Sequence, residues 1–382
     1  LDVRIAIVHS HYSSRQPSGE NRVVEHQAEL LSGAGHDVRL IKRDTDTVEN
    51  SFLHAPRAAF RVATGLGASP VRALKDFQPD VTHVHNLFPN FGTSWARAWP
   101  GPIVVSLHNY RSVCARADLY RDGTYCQECV DFGNQRAVTH ACYRKSRLAT
   151  LPIAMSRTSF QRDFVLAADA VVTTSITSDT HLRQLIGPEL RSTLIPNPGS
   201  DAGETPLPDD QRHGWLAMGR LSEEKGFIEL INDWPANEPL TIIGSGPLEE
   251  PIAVAAQSKG IAYESAVPIN VLRGNLAAHE GLVFPSRWIE VAPQVVVEAM
   301  RVGLPVIAFA ANGIAQLVTN TRTGLAYTDS QSLHTALENV RSDLAGYSSR
   351  ALAYYRRHWS PGIWVESMCR LYEEVLTGQA QG

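Results

Sequence analysis

Short apolar runs alternate with amphipathic stretches along the whole chain. Arg4 to Val8 reads as a buried strand, Asn21 to Leu31 as a helix stopped by Gly33 and Gly35, and Val38 to Ile41 as the next strand. Val81 to Val84, Ile103 to Leu107 and Ala170 to Thr174 follow as strand candidates. Continuous apolar strands alternating with helices predict parallel sheets covered on both faces. A polar, proline-rich break falls over residues 196–213. The alternation then restarts: strand at Trp215 to Met218, helix at Lys225 to Asn232, strands at Leu240 to Ile243 and Leu282 to Phe284, helix at Pro293 to Arg301, strand at Val306 to Phe309. The pattern predicts an α/β chain of two doubly wound domains, 1–197 and 212–357. Residues 358–382 form an amphipathic tail with Trp359, Trp364 and Tyr372, expected to cross back onto the first domain.

The 382 residues suffice for two domains of ordinary size. A net charge of -4, from 35 basic and 39 acidic residues, argues against a dedicated nucleic-acid binder. The charge is uneven: residues 1–195 carry 22 Lys/Arg against 18 Asp/Glu, and ten of the fourteen histidines. No apolar run approaches the roughly 18–20 residues of a membrane span, and the first residues lack the pattern of a secretory signal. The default expectation is a soluble cytoplasmic protein.

The most specific chemistry lies between Pro285 and Met300. An apolar strand end runs into a loop holding Glu290, and Glu298 follows eight positions later, about two turns into a helix. Pro293 suits the start of that helix. Behind it, the N–H groups of Gln294 and Val295 face outward, where an anion is favoured. A sugar nucleotide has this layout, with hydroxyls at each end for the carboxylates and a diphosphate between. Arg220 and Lys225 flank a turn after the preceding strand; they suit a diphosphate, or form a solvated surface turn. Gly244 and Gly246 follow another strand and either let backbone approach a ligand or serve an ordinary strand–helix turn. Pro17 to Asn21, with Gly19 at its centre, is a ligand-facing loop or a helix start capped by Ser18. His83-Val84-His85-Asn86 and His108-Asn109 end two strands of the first domain, where open parallel sheets bind ligands; a structural role is the alternative.

Cys114, Cys126, Cys129 and Cys142 fall within 29 residues. They read as ligands of a structural zinc, with oxidised pairs or free thiols as the alternatives. The segment Arg121-Asp122-Gly123-Thr124-Tyr125 between them reads as a loop. Six basic residues from Arg136 to Arg162, with no acid among them, are a solvated surface or contact a phosphate-bearing acceptor or an anionic membrane face.

Together these elements resemble retaining glycosyltransferases of the GT-B fold, of the family-4 type, including members of bacterial polysaccharide assembly. The resemblance rests on Glu290 and Glu298 with Ala299-Met300, Arg220 through Gly226, Gly244-Ser245-Gly246-Pro247, Gly303 to Ile307, and Gly324. It implies two Rossmann-like domains facing a cleft, with a nucleotide diphosphate sugar in the second. It further implies a glycan, lipid-linked or small-molecule acceptor in the first, with peripheral membrane contact as one consequence. By this likeness Arg220 and Lys225 neutralise the diphosphate, Glu290 contacts the donor sugar and Glu298 the ribose. His108 lies near the anomeric carbon, Gly19 belongs to the amino-terminal loop, and the Cys-rich insert spans about 112–145. No catalytic metal is expected. Three positions depart from the family pattern: Ser18 before Gly19, Val291-Ala292 after Glu290, and Gln316 where an acid is common. A GT-B epimerase and a non-catalytic sugar-nucleotide-binding protein are the competing readings.

Overall fold

A computed structural model describes residues 2–12, 19–46, 54–156, 162–201, 206–266 and 276–378. Ser18, Arg157 and linker positions 202–205 lie outside them. The chain divides into two compact units. The first comprises Leu1–Leu119, Cys126–Pro198 and Trp364–Gly382, and the second Tyr120–Tyr125 with Gly199–Ile363.

Six parallel strands build the first unit: β1 (Arg4–His11), β2 (Asp37–Asp44), β3 (Val81–Asn86), β4 (Ile103–Leu107), β7 (Ala170–Thr173) and β8 (Ser192–Leu194), in spatial order β2-β1-β3-β4-β7-β8. Ile5, Ala6, Ile7 and Val8 of β1 are fully buried, because an inner parallel strand meets packed side chains on both faces. At the edge, β2 buries only part of each residue. One face of the sheet is covered by the helix Gly19–Gly33, through Val24 and Leu31, and by the last helix, Pro361–Leu376, through Trp364, Met368, Leu371 and Tyr372.

The segment Arg121 to Tyr125, expected as a loop, belongs to a short hairpin. A two-stranded hairpin, β5 (Tyr120–Arg121) and β6 (Thr124–Tyr125), turns at Asp122-Gly123. Both turn residues have positive φ, 51° and 81°, which is the backbone that an Asp-Gly hairpin turn requires.

The second unit holds β9 (Trp215–Arg220), β10 (Leu240–Ser245), β11 (Ala262–Glu264), β12 (Gly281–Phe284), β13 (Val306–Phe309) and β14 (Gly324–Tyr327), all parallel, in the order β11-β10-β9-β12-β13-β14. Neighbouring residues of β9 serve opposite cores. Leu216 and Met218 join the cluster that includes Tyr355 and Trp359, whereas Trp215 and Ala217 join the cluster on the other face. Strand order reverses between β9 and β12. Their pairing ends at Leu282 opposite Leu216, so the two strands part before their carboxyl ends. That opening is where doubly wound sheets take ligands.

Replacing Trp364 by Ala is expected to destabilise the first unit by about 3–5 kcal/mol, the usual cost of emptying a buried aromatic site. Chemical denaturation of the full chain measures it. An unchanged midpoint would show that the last helix adds little to this core.

Candidate functional site

In the second unit, the turn after β9 is built around glycines. Gly226 ends the 3-10 turn Glu223–Lys225 at φ 69°, and a Cβ there would stand 2.4 Å from the carbonyl oxygen of Pro285. Only glycine allows both the left-handed backbone and the approach. It also breaks the single helix expected from Lys225 onward into this turn and the helix Phe227–Asp233. Gly244 and Gly246 behave alike: added Cβ atoms would stand 2.1 Å from the Gly219 oxygen and 2.5 Å from the Leu221 oxygen. The close approach they permit is to the chain's own β9 turn.

The turn delivers Lys225 to the loop after β12. Lys225 Nζ donates to Glu290 Oε1 at 2.5 Å, and Ser286 Oγ donates to the same oxygen at 2.6 Å. Glu290 and Ser286 are buried, and the Lys225 ammonium also lies 4.9 Å from the Trp288 ring centroid. Asn312 anchors the loop from behind. Its Nδ2 donates to the Ser286 carbonyl at 2.7 Å, while its Oδ1 accepts from Ile314 and Ala315 at the start of the helix Gly313–Thr321. Arg220 ends β9 and is exposed.

The helix expected from Pro293 begins at Gln294 and runs to Arg301, with Pro293 as its cap residue. No side chain caps that end. Glu298 therefore sits little more than one turn in, not two. Its carboxylate belongs to a separate network, accepting from Ser200 Oγ at 3.1 Å and from Arg301 Nε at 3.0 Å. Ser286, Asn312, Ser200 and Arg301 escaped the sequence reading. Of these only Asn312 carried a local signal, as Asn before Gly313 at a helix start.

In the first unit, imidazoles gather at the carboxyl ends of β1, β3 and β4. His85 Nδ1 and His108 Nε2 are hydrogen-bonded at 2.8 Å, their rings stacked with centroids 5.1 Å apart. The His83 ring centroid lies 4.2 Å from that of His85, and His83 bonds Ser106 Oγ at 2.8 Å and Tyr372 Oη at 2.7 Å. Burial pushes His9, His83 and His108 down to about 3, and His85 likewise falls well below the usual histidine range. All four are neutral at physiological pH. Gly19 opens its helix with open space around it. Beside it, Glu20 accepts from Asn109 Nδ2 at 3.4 Å, and burial pushes its carboxyl up to about 7 against that bond and the Arg111 charge. Tyr12 accepts from Asn86 Nδ2 at 2.8 Å in the same neighbourhood.

The expected zinc finds no support. No disulfide joins any of the five cysteines, so the oxidised pairs are absent as well. Among the described residues no group of three or more His, Cys, Asp or Glu is placed to hold a metal ion. The Cys142 thiol is nonetheless pushed up to about 12, first by burial and then by its three companions. Cys129 and Cys142 pack against Phe88, Ala115 and Ala137 as small apolar side chains would. Cys369 lies on the last helix, half-buried, with its Sγ 3.2 Å from His36 Nε2.

Residues 17–198 match the family described as Glycosyltransferase Family 4, and residues 212–343 match Glycosyl transferases group 1. A glycogen synthase of Mycobacterium tuberculosis is 23% identical over 99% of this chain and 96% of its own length. A GDP-mannose-dependent alpha-(1-6)-phosphatidylinositol monomannoside mannosyltransferase of Mycolicibacterium smegmatis is 26% identical over 61% of this chain and 67% of its own. Among solved structures, a sucrose-phosphate synthase from Thermosynechococcus elongatus superposes with a TM-score of 0.70 at 18% identity, covering 98% of this chain and 100% of that one. The Anabaena protein HepE in complex with UDP-glucose superposes at 0.64 and 17% identity, covering 97% and 100%. No helix among the described residues is long and apolar enough to cross a membrane.

The neutral imidazoles set a pH dependence. Unfolded, each takes up a proton near 6.5; folded, His9, His83 and His108 resist to about 3. Their contribution to stability is therefore complete above pH 6.5 and is lost as pH falls toward 3. The loss is about 1.4 kcal/mol per pH unit for each histidine. Denaturant titrations at pH 7, 6 and 5 should show a steady fall, and a flat profile would contradict the neutral assignment.

Proposed function

This chain belongs to the GT-B glycosyltransferases of the family-4 type, and we propose that it moves a hexose from a nucleotide diphosphate sugar to a hydroxyl of a glycan or lipid-linked acceptor, with retention at the anomeric carbon. The observation that carries this reading is the Lys225–Glu290 pair, held where β9 and β12 part, with the uncapped helix start at Gln294 following in the same loop. In this pair ammonium and carboxylate satisfy each other. A diphosphate competes for Lys225, which frees Glu290 to accept from sugar hydroxyls; Ser286 keeps the carboxylate aimed. Arg220, Lys225 and the N–H groups of Gln294 and Val295 then face the negative charge that grows on the leaving diphosphate. Such preorganised donors and cations act on the transition state more than on the ground state. Glu298, oriented by Ser200 and Arg301, takes the ribose diol.

We propose that His108, kept neutral by burial, hydrogen-bonds a sugar hydroxyl. The acceptor hydroxyl attacks the anomeric carbon on the face from which the diphosphate leaves, and its proton passes to a leaving phosphate oxygen. The structure of HepE in complex with UDP-glucose supports a nucleotide sugar as donor here.

Lys225→Ala and Glu290→Ala should each reduce donor turnover on the order of 100–1000-fold, as loss of a transition-state donor does elsewhere. Turnover is measured with whichever nucleotide sugar raises the melting temperature most in a panel. Wild-type rates in both variants would end this assignment.

A further inference from the structure

A cavity lies entirely within the first unit, beside His85 and His108. Its wall includes Arg61, Thr93, Arg111, Ser112 and Ser156, and among the described residues no Asp or Glu lines it. Arg61, His85, Ser112 and Ser156 are each more than nine-tenths buried. Each keeps a buried polar atom without a hydrogen-bond partner: Arg61 Nε, His85 Nε2, Ser112 Oγ and Ser156 Oγ. Thr93 Oγ1 and Arg111 Nε are in the same position. Six such atoms around one cavity are unusual, since buried polar groups normally find partners. The two guanidiniums sharpen the point. Among the described residues Arg61 donates to the Pro89 carbonyl at 2.9 Å, and Arg111 to the Ala115 carbonyl at 2.9 Å, with its cation 4.1 Å from the Phe88 ring centroid. Neither makes an ion pair with a carboxylate among the described residues. Arg111 is half-buried and feels the Glu20 carboxyl, but Arg61 is buried, and an anion entering the cavity would offset the cost of burying its charge.

We propose that this cavity seats a phosphate group of the acceptor, held by Arg61 and Arg111 and by the hydroxyls of Ser112 and Ser156. The proposal rests on the transferase reading and deepens it, since it names the acceptor class. A phosphate offers several acceptor oxygens to donors arriving from different walls, which a carboxylate does less well. Phe88, Phe91 and Phe164 form apolar parts of the wall and allow a hydrocarbon neighbour to the phosphate. Occupancy also reaches the reacting end. If His85 donates to the phosphate from Nε2, its Nδ1 must accept, so His108 donates across the 2.8 Å bond and presents an Nδ1 lone pair.

The experiment measures binding of inorganic phosphate, farnesyl phosphate and uncharged farnesol to the full chain by calorimetry, in wild type, Arg111→Gln and Ser156→Ala. The expected result is binding of the phosphate probes but not of farnesol, weakened about tenfold or more in Arg111→Gln and less in Ser156→Ala, as for lost hydrogen bonds to a charged group. Farnesyl phosphate binding at least about tenfold tighter than inorganic phosphate assigns a lipid phosphate. Equal affinities assign a phosphate on a polar acceptor. Stabilisation of each variant by the donor nucleotide sugar, which the second unit binds, confirms that it is folded. No phosphate binding to wild type, or undiminished binding to both folded variants, overturns the inference. If donor binding persists in that case, the transferase reading stands without it.

Discussion

The Lys225–Glu290 hydrogen bond organises the second unit's candidate site. A carboxylate that is buried needs a cation or several donors, because water no longer solvates it. Glu290 obtains Lys225 and Ser286. Meeting that demand constrains everything nearby. Gly226 must adopt a left-handed backbone against Pro285, Asn312 must hold the Ser286 carbonyl, and β9 and β12 must part after Leu216. The result joins a movable cation to an oriented carboxylate, with a loop and an uncapped helix start close in sequence. We propose that this pair exchanges partners when an anion and a hydroxylated sugar arrive together.

The first unit solves a different problem. Its histidines are buried at strand ends, where desolvation keeps them neutral and lets them bond to one another, to Ser106 and to Tyr372. Tyr372 stands on the last helix, so the segment that completes this core also holds His83 in place.

Much of this was legible from pattern. Inner strands such as Ile5 to Val8 announce themselves because burial on both faces demands an unbroken apolar run. The Glu290 and Glu298 spacing, the Arg220 to Gly226 turn and the Gly244 and Gly246 pair are local features, and local features survive in one dimension. The Asp122-Gly123 hairpin was also within reach, since that dipeptide favours positive φ at both positions. For the clustered cysteines, spacing shows only that the thiols are near in sequence: among the described residues no group is placed to hold a metal ion, and Cys129 and Cys142 pack against a small apolar cluster.

The sequence by itself determined the alternation of elements, the two-domain organisation and the residue types able to meet a sugar nucleotide. Hydrophobic period and turn chemistry act between near neighbours, so they are written along the chain. Partnerships across 65 positions, as between Lys225 and Glu290, across 98, as between Ser200 and Glu298, or across 289, as between His83 and Tyr372, were decided only by the folded arrangement. So was the cavity walled by Arg61, Arg111, Ser112 and Ser156. Burial and hydrogen-bond satisfaction depend on which distant segments pack together, and no local pattern encodes that.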